Sequence, residues 1–141
     1  MLMTALATAL MIGQASVIDG DTLEIHGERV RLYGIDAMES RQLCWNGKRK
    51  RYACGREAAL ALDDFIGDSV IACESRGHDR YQRMVARCSV RGEDLGAWMV
   101  ESEHALAYRQ YSRDYVKQEQ SARKGQRGVW KGKFVKPWEW R

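Results

Sequence analysis

The order of strand and helix signals predicts an α+β, mainly β domain: a five-stranded Greek-key β-barrel of the OB type with three α-helices. Three observations carry this. Three short alternating segments follow one another between residues 12 and 35, joined by Asp-Gly and His-Gly turns, as in a meander. Helix and strand patterns then alternate to give the order βββ-α-ββ-α-β-α. Finally, 141 residues without repeats, low-complexity tracts or an internal proline before Pro137 suffice for one core and are too few for two.

Each element has its own signal. Ile12–Asp19 and Thr22–His26 read as strands interrupted by Asp19-Gly20. His26-Gly27-Glu28 turns the chain into Arg29–Ile35, where Val30, Leu32 and Ile35 point inward. A loop, 37–54, follows. Gly55–Ile66 reads as a helix with Ala58, Ala59, Leu62, Phe65 and Ile66 on one face and Gly67 as its stop. Ser69–Glu74 and Met84–Val90 are strands around a polar connection, 75–83. Asp94–Glu103 is a short helix presenting Leu95, Trp98 and Met99. Ala105–Tyr108 is a brief strand, and Ser112–Lys124 a polar helix with Ser112 as N-cap.

Residues 12–141 therefore form one domain. Residues 1–11 read as the remnant of an apolar export segment or a disordered N-terminus. They contain Ala7-Thr8-Ala9, a small-residue pattern of the signal-peptidase kind, and are too short to span a membrane. Export agrees with the cysteines. Cys44, Cys54, Cys73 and Cys88 lack the CxxC spacing of a zinc site, and four cysteines allow three pairings. Cys44 and Cys54 bracket the basic loop, while Cys73 and Cys88 lie on neighbouring strand-like runs. The expected bridges are 44–54 and 73–88, each closing a loop worth about 3 kcal/mol; four reduced thiols are the alternative.

The net charge of +4 is unevenly spread. Six basic residues and no acid lie between Arg41 and Arg56. From Arg109 onward ten basic residues face three acids. Interleaved with Trp45, Tyr52, Tyr108, Tyr111, Tyr115 and Trp130, these runs suit phosphate contact with base stacking, or a solvated surface. Against that background stand "VIDGDT" and "YGIDAMES". Acids clustered in a basic protein point to a hard cation held by oxygen ligands such as carboxylates, carbonyls and water. Asp21 begins one strand and Asp36 ends another of the same meander, so the two can meet, with the Ala37 carbonyl next in line. Glu39 is placed to hold water beside the cation, and Arg31 and Arg83 to neutralise a phosphate. Taken singly, each has a plainer reading as a turn or surface residue. The histidines, His26, His78 and His104, read as structural or solvated.

Taken together, "VIDGDTLEI", "RVRLYGIDAMES" and "DRYQR" resemble the staphylococcal nuclease-like (thermonuclease) family, over roughly Ile12 to Trp130. "CGREAA" and "PWEWR" resemble its exported bacterial members. The resemblance implies a Ca²⁺-dependent nuclease cleaving DNA and RNA to leave a 3′-phosphate. It implies Ca²⁺ on Asp21, Asp36 and the Ala37 carbonyl with Asp19 behind them, and Glu39 as general base. Arg31 and Arg83 would stabilise the phosphate transition state, and Tyr81, Tyr108 and Tyr111 would pack nucleotide. A monomer with no stable membrane association is expected. Three positions depart from the family pattern. Met38 replaces the proline before Glu39 and is expected to loosen it. Gln82 replaces a glycine, with strain expected if φ is positive there. Gly96 stands where asparagine is expected. These departures favour the alternative of a catalytically weak or inactive nucleic-acid-binding OB module; the retained Arg31, Glu39 and Arg83 favour the enzyme. A generic OB binder leaves that trio unexplained.

Overall fold

A computed structural model describes residues 9–141, so most of the export-like segment lies outside the described residues. Strands β1 (Leu10–Gly13) and β2 (Ala15–Asp19) replace the single expected strand, dividing at Gln14. The expected domain start at residue 12 thus falls within β1. They are followed by β3 (Thr22–Ile25), β4 (Glu28–Leu32), β5 (Ile35–Ala37), β6 (Cys44–Trp45) and β7 (Arg51–Tyr52). Helix α1 (Cys54–Ile66) precedes β8 (Ile71–His78), β9 (Met84–Val90) and β10 (Glu93–Asp94). Then come α2 (Leu95–Glu101), β11 (Ala105–Ala107), α3 (Val116–Lys124), a 3₁₀ turn (Gly128–Lys131) and α4 (Pro137–Trp140).

The main sheet has the order β1-β8-β9-β4-β3-β2, with β10 added to β9. Only β4 and β9 run parallel. β1 and β2 are one residue apart in the chain and yet lie at opposite ends of that order. The sheet must curl to bring its two edges together, and the result is a curled half-barrel. The mainly β, OB-like class expected from the sequence is what the chain adopts. Four helices are present among the described residues where three were expected, α4 being the addition.

Two breaks position the site. Gly34, at φ 77°, splits the expected strand Arg29–Ile35. β4 stays in the sheet, while β5 turns out to pair with β11, Asp36 opposite Leu106. α3 begins at Val116 rather than Ser112, because the Ser112 hydroxyl accepts the Asp114 N–H in a local turn and no side chain caps the helix.

The core has two parts. Leu23, Ile25, Val30, Leu32 and Ile35 of the barrel pack on Ala58, Leu62 and Ile66 of α1 and Leu95, Met99 and Val100 of α2. Burying one such side chain is worth about 1.5–3 kcal/mol. A smaller cluster of Met38, Cys44, Cys54, Leu106 and Val129, with Trp130, Phe134 and Trp138 against it, roots the 37–54 loop on the C-terminal segment. Cys44–Cys54 and Cys73–Cys88 are both bonded, as expected. Asp94 caps α2 by accepting the Gly96 and Ala97 N–H groups, and it also accepts the Tyr115 hydroxyl. A Cβ on Gly96 would meet that tyrosine at 2.9 Å, which explains glycine where asparagine was expected.

Gln82 adopts φ 66°, the left-handed region that strains a non-glycine residue by about 1–2 kcal/mol. Gln82→Gly is expected to raise stability by about 1 kcal/mol in urea unfolding, since relief of strain outweighs the added freedom of the unfolded chain. An unchanged or lower midpoint would show that the turn is not strained.

Candidate active site

The β2–β3 turn begins the site. A register shift between Val17 and Asp19 tightens it, and the Asp19 Oδ1 accepts the Asp21 N–H at 3.0 Å. Asp21 is thereby turned inward. Its Oδ2 accepts the Ala37 N–H at 2.9 Å, its Oδ1 accepts the Thr22 hydroxyl at 3.1 Å, and its carbonyl accepts the Leu32 N–H. Strand β5 delivers Asp36, whose side chain is fully buried. The two carboxylates expected to meet do so, at the junction of β3 and β5.

Arg31 lies between them, 3.3 Å from Asp21 and 3.5 Å from Asp36, and is nearly buried. Arg83 is aimed by Asp79, which accepts its backbone N–H at 3.0 Å and its Nε–H at 2.7 Å. Its Nη1 reaches the Thr22 hydroxyl at 3.4 Å. The strained Gln82 therefore leaves Arg83 directed at the acidic turn. Asp19, Asp21, Arg31, Ala37, Met38, Glu39, Arg83 and Arg141 line one cavity of about 50 Å³. A larger cleft of about 310 Å³, lined by Tyr52, Glu57, Glu103, His104 and Lys131 among others, contains none of these arginines. No histidine lines the smaller cavity.

Glu39 is held more firmly than a proline-free loop suggests. Its N–H donates to the Gln42 Oε1 at 3.1 Å, and its carbonyl accepts the Gln42 N–H at 2.8 Å. Gln42 is fully buried, and its Nε2 donates to the Val135 carbonyl. Met38 is buried in the smaller core cluster. Gly55 closes the loop from behind: a Cβ there would lie 1.6 Å from the Glu39 carbonyl oxygen, so only glycine allows α1 this close. The loosening expected from Met38 is countered by Gln42, which carries no motif signal.

Burial and mutual repulsion set the electrostatics of the acids. Burial first, then the charge of Asp21, raises the Asp36 pKa from 3.8 to about 6. The same two causes raise Asp19 to about 7. Burial also opposes ionisation of Asp21, but the Arg31 charge and bonds from Asp19, Ala37 and Thr22 outweigh it and lower its pKa. Among the described residues no three His, Cys, Asp or Glu are spaced to ligate one ion. The donor set fits a hard cation on two buried carboxylates, its remaining positions taken by carbonyl and water oxygens; it does not fit a cage built from side chains alone.

The aromatic residues fall in two places. Tyr81 is exposed, with the Arg80 and Arg83 guanidinium carbons 4.9 and 5.5 Å from its ring centroid. Tyr108 stacks obliquely on Tyr111 at 4.9 Å and on Trp138 of α4 at 5.2 Å. Trp45 is partly exposed on the basic loop. Gln42 and Arg141 went unread in the sequence. Arg141 makes bonds to both Asp36 and Glu39 and left no local sign, because its partners are more than a hundred residues away.

Residues 29–132 match the family model described as staphylococcal nuclease homologue. The succinoglycan biosynthesis protein ExoI of Rhizobium meliloti is 43% identical over 124 residues, 86% of this chain and 65% of that protein. An uncharacterized endonuclease of Haemophilus influenzae is 30% identical over 133 residues, 89% of this chain and 69% of that protein. The chain thus spans about two thirds of the length of these relatives.

The raised pKa of Asp36 has a stability consequence. Its carboxyl titrates near 6 when folded and near 3.8 otherwise, so its contribution is full below about pH 4 and is lost as pH rises through 6. In chelator, the stability of the wild type relative to Asp36→Asn is expected to fall between about pH 4 and 7. A flat or rising difference in urea unfolding across that range would contradict the assignment.

Proposed function

The chain belongs to the staphylococcal nuclease homologues, and from that premise we propose that it is a Ca²⁺-dependent nuclease hydrolysing phosphodiester bonds in DNA and RNA. The observation that carries this reading is the convergence of Asp21, Glu39, Arg31 and Arg83 on one small cavity, with Asp36 buried beside it and paired to Arg31 and Arg141. Asp21, Asp36 and the Ala37 carbonyl would hold the ion, with Asp19 ordering Asp21. Bound there, Ca²⁺ would offset the charge of the scissile phosphate and make a nearby water more acidic.

The chain's own residues supply the rest. Glu39, on a loop tied down by Gln42, takes a proton from the attacking water, a role worth about 10²–10⁴ in rate. Arg31 and Arg83 donate to the non-bridging phosphate oxygens as charge builds on the pentacoordinate centre, each such donor contributing about 3–4 kcal/mol. Cleavage of the bond to the 5′ oxygen leaves the 3′-phosphate. Tyr81 on one side and Tyr108 with Tyr111 on the other offer ring faces to bases, and the 41–56 run supplies phosphate contacts. The two disulfides support an oxidising, exported setting. No helix among the described residues is long and apolar enough to cross a membrane.

A nucleic-acid-binding module with little or no turnover is the second reading. It is favoured by the first relative, whose name refers to succinoglycan biosynthesis rather than to a nuclease.

The test is cleavage of a single-stranded DNA oligonucleotide with Ca²⁺, with excess chelator, and by Glu39→Gln. Expected are Ca²⁺-dependent cleavage and a fall in kcat of about 10²–10⁴ in the variant with oligonucleotide binding retained. Binding without cleavage at any Ca²⁺ level would favour the second reading.

A further inference from the structure

Asp36 has no exposed side-chain surface, and it keeps company with a second buried acid, Asp21. Arg31 is shared between the two at 3.3 and 3.5 Å, long for a charge-assisted bond. The close, two-pronged partner of Asp36 is Arg141, with Nη2 2.5 Å from Oδ2 and Nη1 3.3 Å from Oδ1. The same Nη1 donates to the Glu39 Oε1 at 2.8 Å. One guanidinium thus engages an acid assigned to the cation and the acid assigned to the water.

The backbone that delivers Arg141 is fixed. Pro137 is buried at the start of α4, Trp138 packs on Tyr108, and the Arg141 N–H donates to the Pro137 carbonyl. Upstream, Val135 accepts from Gln42, and Lys133 exchanges both backbone hydrogen bonds with Trp45. The side chain is different, being nearly half exposed at the mouth of the cavity. It can leave the acids by rotating into water without unpacking α4.

Arg141 spans both oxygens of Asp36, so a divalent cation at contact distance has to take one of them from it, whereas Arg31 approaches Oδ1 alone at 3.5 Å. The geometry points to Arg141 as a resident counter-cation of the site, seated on Asp36 and Glu39 until a divalent cation displaces it. This inference rests on the cation reading given above. Its consequence is that arrival of the cation and release of Glu39 are one event. While Arg141 is seated, Glu39 Oε1 carries a charged donor, which makes the carboxylate a weaker base toward water. The apparent cation affinity is lowered by the fraction of molecules in which Arg141 is withdrawn.

The experiment is calorimetric titration of Ca²⁺ into the chain without substrate, for the wild type, Arg141→Gln, Arg141→Lys, Lys136→Gln and Asp36→Asn, with thermal unfolding in parallel. If Arg141 is seated nine-tenths of the time, Arg141→Gln binds Ca²⁺ roughly tenfold more tightly. Arg141→Lys, which keeps the charge but loses the fork, falls between it and the wild type. Lys136→Gln, which removes a neighbouring charge, stays within about twofold of the wild type. Without Ca²⁺, Arg141→Gln melts lower than the wild type, and saturating Ca²⁺ closes the gap. Unchanged or weaker binding by Arg141→Gln, or equal tightening by Lys136→Gln, overturns the inference while leaving the cation site standing. Binding unaffected by Asp36→Asn, or absent in every variant, overturns the cation reading and the inference with it.

Discussion

Two carboxylates placed together away from water constrain everything around them. Each would lose hydration on folding, and each repels the other, so Asp21 and Asp36 can coexist only where positive charge and N–H groups converge. The fold provides that convergence in several ways at once. The β2–β3 turn folds over so that Asp21 accepts the Ala37 N–H, and its carbonyl accepts the Leu32 N–H. These bonds tie the start of β3 to both β4 and β5. Arg31 sits between the acids from the neighbouring strand. The departure of β5 from the main sheet at Gly34, which looks like a defect in a regular barrel, brings Asp36 to the turn.

Much of this was legible because it is local. Turn chemistry at Asp19-Gly20, the alternation around Arg31 and the apolar face of α1 each act within a few residues. Asp21, Asp36, Arg31, Glu39 and Arg83 stood out as a set, through the joint pattern that resembles a family, since each alone had a plainer reading. The disulfide partners were legible for a similar reason, since Cys73 and Cys88 fall opposite each other in one hairpin. The division of Ile12–Asp19 was not. The run reads as one strand, and only the closure of the sheet decides that its two halves pair with different partners. Ser112 misled because a hydroxyl that can cap a helix can also hold a turn, and the choice depends on where Tyr115 packs.

Gln42 and Arg141 were illegible for a deeper reason. Gln42 reaches Val135 across 93 residues, and Arg141 reaches Asp36 across 105. A glutamine in a polar loop carries no pattern of its own, and the arginine that ends "PWEWR" gives no sign of the acids it reaches. Their roles exist only once the smaller core cluster has brought the 37–54 loop and the C-terminal segment together. Conversely, the departure at Met38 was visible, while the contacts that offset it were not. Packing of Met38 and the two bonds to Gln42 restrain Glu39 by other means than a fixed φ.

The site therefore straddles two bodies of unequal firmness. Asp21, Asp36 and Arg31 belong to the main barrel and its large core. Glu39 and Arg141 lie on segments anchored by the smaller cluster of Met38, Cys44, Cys54, Leu106 and Val129, with Trp130, Phe134 and Trp138 against it. Opening of a protein is rarely uniform, and segments with the least buried apolar surface open first. Asp21 and Asp36 are thus built into the part with the larger buried apolar surface, while Glu39 and Arg141 ride on the part with the smaller. The Cys44–Cys54 bridge lies within the second part, behind Glu39 and Gln42, and its loss would be felt by Glu39 and Arg141 before the acid pair.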